Sequence, residues 1–286
     1  VGVLTAIFGP FAAGIDARLI ESMDAVIAAA LVEARLAWLT ALSIYVVGFA
    51  LLAMWQRVDL YEVGLACARA LAIAAMLQSG NYAFYVRDLF FTELPNTFGA
   101  MLGGARPTVG SAQQFDVLWS AVLNIVGRVG AVSTGWFGWA DRAIAWAVAL
   151  LCLVPLALIF GIWLMGRIFM AIIICLGPFL LILALWRSTR GFVEGWIGKL
   201  VGFAVFQLAT SILLRILLVE ISRRFQAVQA GMGATVDEMH AALALVFLTF
   251  CLGAVVMVAL PGAVAIGSGS VAAAAVATVG RMSPIR

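Results

Sequence analysis

Residues 143–186 read AIAWAVALLCLVPLALIFGIWLMGRIFMAIIICLGPFLLILALW, forty-four residues with one charge, Arg167. About 20 apolar residues suffice to cross a bilayer. A straight helix of this length runs about 66 Å, roughly twice the hydrocarbon thickness. The stretch must therefore break, fold back or project beyond the membrane. Pro155, Gly161, Gly166-Arg167 and Gly177-Pro178 are the places where it could break. A hairpin at Gly166-Arg167 gives two crossings. A single extended or re-entrant crossing gives one and leaves Arg167 to be sheltered by protein.

The whole chain shares this character. It is 65% hydrophobic and 11% charged, with mean hydropathy +1.14, where a soluble domain is nearer half apolar and a quarter charged. The expected fold class is all-α, a polytopic transmembrane helical bundle. A net charge of +3 is too small for a nucleic-acid surface and ordinary for a membrane protein with basic loops.

Downstream of the long run stands a charged island at 186–199. It carries Arg187, Arg190, Glu194 and Lys199, with Trp186 and Trp196 flanking the charges as interfacial anchors. Arg190 and Glu194 are four apart and pair if the segment is helical. Gly191/Gly195 and Gly198/Gly202 are small-residue pairs that let a neighbouring helix approach. Leu200 to Val219 is the next span, with Gln207, Thr210, Ser211 and Arg215 on a polar side that needs protein or water partners. Glu220 to His240 reads as a polar connector, and Ala241 to about Val258 as the last span, followed by Pro261 and glycines. The bundle occupies 143–267 and a small-residue-rich tail 268–286.

Upstream, residues 1–34 form an amphipathic segment, with Ile15, Leu19, Met23, Val26, Ile27 and Leu31 at helical spacing. It is expected to lie on the membrane or against partner subunits. The first two spans fill 35–80, roughly Leu36 to Met54 and Tyr61 to Gln78, joined by a turn at Val58-Asp59-Leu60. Ala66, Ala70 and Ala74 make a small-residue ridge. Arg69 lies on it and must face protein, water or headgroups. A long loop covers 81–142. Its first part, Asn81 to Ala112, holds Pro95, Pro107 and four glycines and reads as irregular. Its second part carries a stripe of Phe115, Leu118, Trp119, Val122, Ile125, Val126 and Val129, a second amphipathic helix.

Among short loops the island holds the basic residues, which places it in the cytoplasm. Five crossings then give a periplasmic N-terminus, a periplasmic long loop and a cytoplasmic C-terminus. Six crossings with both termini inside also satisfy the charge rule.

Enzyme signatures are missing. The sequence has no phosphate-binding loop and no zinc-protease helix. Its one histidine, His240, falls in a connector, and the spans hold no paired acids. No catalytic, cofactor-binding or metal-binding residue is expected. Cys67, Cys152, Cys175 and Cys251 lie in apolar runs, lack metal-ligand spacing and read as small hydrophobes.

Gly177-Pro178-Phe179, the apolar run to Leu185-Trp186, and Thr189-Arg190-Gly191-Phe192-Val193-Glu194-Gly195-Trp196 together resemble the polytopic inner-membrane subunit of bacterial type IV secretion systems. This is the TrbL-type family that includes the sixth VirB-type subunit. The leading amphipathic segment, two spans, long loop and clustered spans are similar in layout. Many members carry a second aromatic where this chain has Val193. The resemblance singles out Arg190, Gly191, Phe192, Glu194, Gly195 and Trp196. It implies a non-enzymatic assembly and channel subunit of a secretion or conjugation machine in the bacterial inner membrane, supporting pilus or stalk assembly and substrate passage. Implied partners are pilin or stalk subunits, the inner-membrane complex, the system's ATPases, membrane lipid, further copies of the chain, and DNA or protein in transit. A stand-alone secondary transporter is the competing reading, and an anchor with no conduit is a third. Arg69, Arg167, Gln207 and Arg215 are the intramembrane polar positions each reading must place.

Overall fold

The computed structural model describes residues 6–55, 60–94, 96–97, 101, 111–133, 138–230 and 235–281. These residues are helical apart from turns. Helix α1 spans Phe8–Met54, α2 Leu60–Met76 and α3 Ser79–Tyr82, the last continuing as a π-helix over Ala83–Glu93. Then come α4 (Ser111–Val132), α5 (Trp139–Leu183), α6 (Arg190–Ala230) and α7 (Val236–Arg281). The helices α1, α5, α6 and α7, of 47, 45, 41 and 46 residues, run about 60–70 Å each and exceed a hydrocarbon core of about 30 Å.

Five helices are long and apolar enough to cross a membrane: Phe8–Leu51, Ala112–Val132, Trp139–Leu183, Arg190–Arg224 and Val236–Ala263. The bent pair Tyr61–Met76 plus Gly80–Glu93 makes a sixth if it counts as one broken span. The set differs from the sequence reading. The amphipathic α4 qualifies by length and composition, whereas α2 qualifies only together with α3.

Two further expectations are corrected, and one choice that the sequence left open is decided. The leading amphipathic segment and the first span are one helix, because no glycine, proline or polar turn separates Ala28 from Ala41 and alanine is the best helix former. Asn81 to Leu94 is helical rather than irregular. Gly80 stands near the start of α3, and helical winding continues to Leu94, the residue before Pro95, where helices commonly stop. The hairpin at Gly166-Arg167 does not form, since α5 is continuous from Trp139 to Leu183. Gly166 serves close packing: a Cβ there would lie 2.5 Å from Cε1 of Phe206. Likewise α7 runs on through Pro261 to Arg281. The expected turn at 56–59, the Pro107 region, Trp136, and Gly231 with Gly233 lie outside the described residues.

The chain divides into two compact units. One comprises 1–17, 96–166 and 205–264. Its core is built on α4, where all seven residues of the apolar stripe are buried. Phe8, Phe115, Phe160 and Trp163 stack as a run of rings 5.0–6.0 Å apart. The first turn of α1 is held by Asp116 of α4, whose carboxylate accepts the backbone N–H groups of Ile7 (2.9 Å), Phe8 (2.7 Å) and Gly9 (2.8 Å). Those donors have no intrahelical acceptor, so a carboxylate from elsewhere in the chain acts as the cap. Gly9 leaves room for this carboxylate: a Cβ would meet Asp116 Oδ2 at 2.5 Å and push it off its three donors. Thr235 and Glu238 form a reciprocal capping box at the start of α7.

The other unit comprises 18–95, 167–204 and 265–286. One core joins Met23, Ile27 and Leu31 of α1 to Tyr82, Val86 and Phe91 of α3 and its π-helical continuation, and to α5 and α6. A second joins Ala34, Trp38 and Ala41 of α1 to Ile73 of α2 and Ile182 of α5, with Ala70 and Ala74 of the small-residue ridge packed against it. Arg87 of the π-helical turn pairs with Asp24 of α1 and, at 2.7 Å, with Asp88.

Candidate functional site

Pro178 stands within α5 and has no N–H to give. The carbonyl four residues earlier, that of Ile174, therefore loses its helical donor. In a membrane no water replaces it, and an unsatisfied group there costs several kcal/mol. The protein brings a donor from outside the helix. The Tyr82 hydroxyl, wholly buried in α3, donates to the Ile174 carbonyl. One residue earlier, Trp196 of α6 donates its indole Nε1–H to the Ile173 carbonyl at 2.9 Å. Two side chains from two other helices thus brace one gap in the hydrogen-bond ladder of α5.

Gly177 makes room for both. A Cβ on it would collide with the Tyr82 hydroxyl and lie 2.6 Å from Cζ2 of Trp196. The Gly-Pro pair is one device: proline exposes a carbonyl, and glycine admits the groups that cover it. The Gly-Pro and Trp ends of the sequence pattern are therefore in contact. The turn between them is tied by Thr189, whose Oγ1 donates to the Leu183 carbonyl at 2.5 Å and closes the C-terminus of α5.

The rest of the island splits between two faces. Val193, Trp196 and Leu200 are buried against α5. Gly191, Phe192, Gly195 and Lys199 are exposed, and nothing of this chain's described residues lies within 4 Å of a Cβ built on Gly191 or Gly195. Arg190 and Glu194 pair at 3.0 Å. The pair is 46% and 38% exposed, so solvent or headgroups screen it and it contributes little to stability. Trp196 is a buried structural donor rather than a lipid-facing anchor, whereas Trp186 is half-buried.

The intramembrane polar residues have different surroundings. Arg167 lies half-buried with its guanidinium 4.5 Å from the centroid of the Phe91 ring, a cation–π contact. Arg69 is half-buried within electrostatic reach of Tyr45. Gln207 is buried, as is Thr210, whose hydroxyl bonds back to the Phe206 carbonyl at 2.9 Å and lies 3.7 Å from the Met257 sulfur. Arg215 is exposed. His240 meets the Asp141 carbonyl at 3.2 Å through Nε2. Among the described residues no group of three His, Cys, Asp or Glu side chains is placed to hold a metal ion.

Sequence reading missed Tyr82, Phe91 and Asp116. A signal for the first existed: a proline inside an apolar span demands a donor for the i−4 carbonyl, and a tyrosine or tryptophan elsewhere can supply it.

Long apolar helices, a braced gap in the ladder of one of them and few intramembrane cations define a multi-pass helical membrane protein. The family model described as "TrbL/VirB6 plasmid conjugal transfer protein" matches residues 40–260, and the chain belongs to that family. It is a component of a conjugal transfer or type IV secretion system. No curated protein matches the chain.

Proposed function

We propose that the chain is a non-enzymatic assembly and channel subunit of the inner-membrane complex, supporting pilus or stalk assembly and the passage of substrate. The observation that carries this reading is the family match over 40–260. The geometry supports it in one respect. The exposed half of the island, Gly191, Phe192 and Gly195, is open for a neighbouring helix, and small residues permit close approach. The chain functions as a homo-oligomer alongside pilin, inner-membrane subunits and ATPases. Its N-terminus is periplasmic and its C-terminus cytoplasmic.

A photo-crosslinker placed at Phe192 in a conjugating donor tests the reading. Capture of a second copy or of another secretion subunit, with loss of transfer and pili on deletion of the chain, is expected. A strictly monomeric protein whose deletion leaves both intact overturns it. Crosslinker at Ser188 separates conduit from anchor: DNA or protein caught in transit marks a conduit.

A further inference from the structure

Of the three arginines Arg69, Arg167 and Arg215, only Arg215 is exposed. It interrupts the otherwise uncharged stretch Leu200 to Val219, twenty residues or about 30 Å of helix, one hydrocarbon thickness. Arg215 lies about 6 Å inside the Val219 end of that stretch, within reach of the boundary for a side chain that snorkels. Its neighbours Ile212, Ile216 and Val219 are 40%, 60% and 52% exposed, so this wall of α6 meets lipid rather than protein of this chain.

The same wall continues past the boundary. Ser222 stands seven residues on, almost in line with Arg215, and Arg223 eight residues on, about 80° around the axis. Both are exposed. Arg224 is occupied by Glu220 at 2.6 Å, and among the described residues no acid partners Arg215 or Arg223. Two guanidiniums with no acid partner among the described residues, and a hydroxyl, therefore flank the level where phosphates lie. Arginine is the side chain best shaped for phosphate oxygens.

We propose that Arg215, Ser222 and Arg223 form a headgroup site for an anionic phospholipid at the C-terminal end of α6. Arg223 reaches back toward the apolar stretch, as helical side chains lean toward the N-terminus, and Arg215 reaches the boundary by snorkelling against that lean. The phosphate sits between them, and the acyl chains lie along Ile212, Ile216 and Val219. A net negative lipid is favoured over a zwitterionic one because Glu220 is taken by Arg224 and no other acid among the described residues pairs with the two cations.

The full chain, purified in mild detergent, is titrated with phosphatidylglycerol, phosphatidylcholine, inorganic phosphate and a single-stranded oligonucleotide, with occupancy read by native mass spectrometry. Phosphatidylglycerol is expected to bind in preference to phosphatidylcholine. Each basic residue near an anionic surface is worth about fivefold, so R215Q/R223Q should lower occupancy about thirtyfold and R223Q alone about fivefold. R223Q lies outside the apolar stretch and carries the test if the double variant does not fold. Unchanged phosphatidylglycerol occupancy in R223Q, or equal binding of the two lipids, overturns the site. Binding of inorganic phosphate without lipid preference also overturns it, as does displacement of the lipid by the oligonucleotide at the same residues.

Discussion

Replacing Tyr82 by phenylalanine removes one oxygen from a wholly buried ring and leaves the packing in place. The hydroxyl donates to the Ile174 carbonyl, which Pro178 cannot serve. Leaving a buried backbone acceptor unpaired costs about 1–3 kcal/mol, and interhelical hydrogen bonds measured within membranes average nearer 0.6 kcal/mol with a ceiling of about 2. The expected loss for Y82F is thus about 1–2 kcal/mol. Pro178→Ala returns an N–H to the helix at the position that bonds Ile174, so in that background the tyrosine hydroxyl becomes redundant. Y82F should then cost only a few tenths of a kcal/mol, and the double-mutant cycle should show a coupling of about 1 kcal/mol. Reversible unfolding in mixed micelles, followed by the change in midpoint, measures all four corners. Additivity within about 0.3 kcal/mol would refute the idea that tyrosine compensates for proline. A general packing role for Tyr82 predicts that outcome, with equal losses in both backgrounds.

Trp196→Phe keeps most of the buried ring and loses the indole donor to Ile173; a loss of about 1 kcal/mol in the same unfolding assay is expected. Arg167→Gln removes the cation above Phe91 and should cost about 1–2 kcal/mol, whereas in an F91L background the same change should cost less; equal costs would mean the ring contact is incidental. Asp116→Ala frees three backbone donors at the start of α1, and faster amide exchange at Ile7, Phe8 and Gly9, with a loss of about 1–2 kcal/mol, is expected.

The stripe on α4 is fully legible in the sequence, since seven apolar residues at helical spacing have one face to hide and all seven are buried. The long apolar run 143–186 is legible as membrane-length helix, but its choice between hairpin and rod is not. That choice depends on whether a partner such as Phe206 fills the gap at Gly166, and distant partners leave no mark on local sequence. The π-helical turn is hidden for a different reason. The buried residues Tyr82, Val86 and Phe91 fall four and then five apart, a drift that a 3.6-residue template rejects. The end of the turn follows the same wider winding, the N–H of Leu94 bonding the Leu89 carbonyl five residues back. Glycines and prolines around this turn complete the disguise. In the island, the Arg190–Glu194 pair follows from spacing, but the division of its residues between a buried and an open face requires α5 to be placed.

A chain this apolar has few polar groups to satisfy, and it meets their needs by different means. The Ile174 carbonyl is covered by a tyrosine from α3, and Arg167 by an aromatic face. The first amides of α1 are capped by a carboxylate from α4, and Asp24 further along α1 is paired by Arg87 from the π-helical turn. Within each unit these partners come from segments far apart in sequence, so the polar contacts tie particular helices to one another, while close van der Waals packing supplies the rest of the helix–helix attraction. Arg215 stands outside this scheme. It is exposed on an apolar wall of α6 and finds no acidic partner among the described residues, which is why the proposed lipid site is placed there.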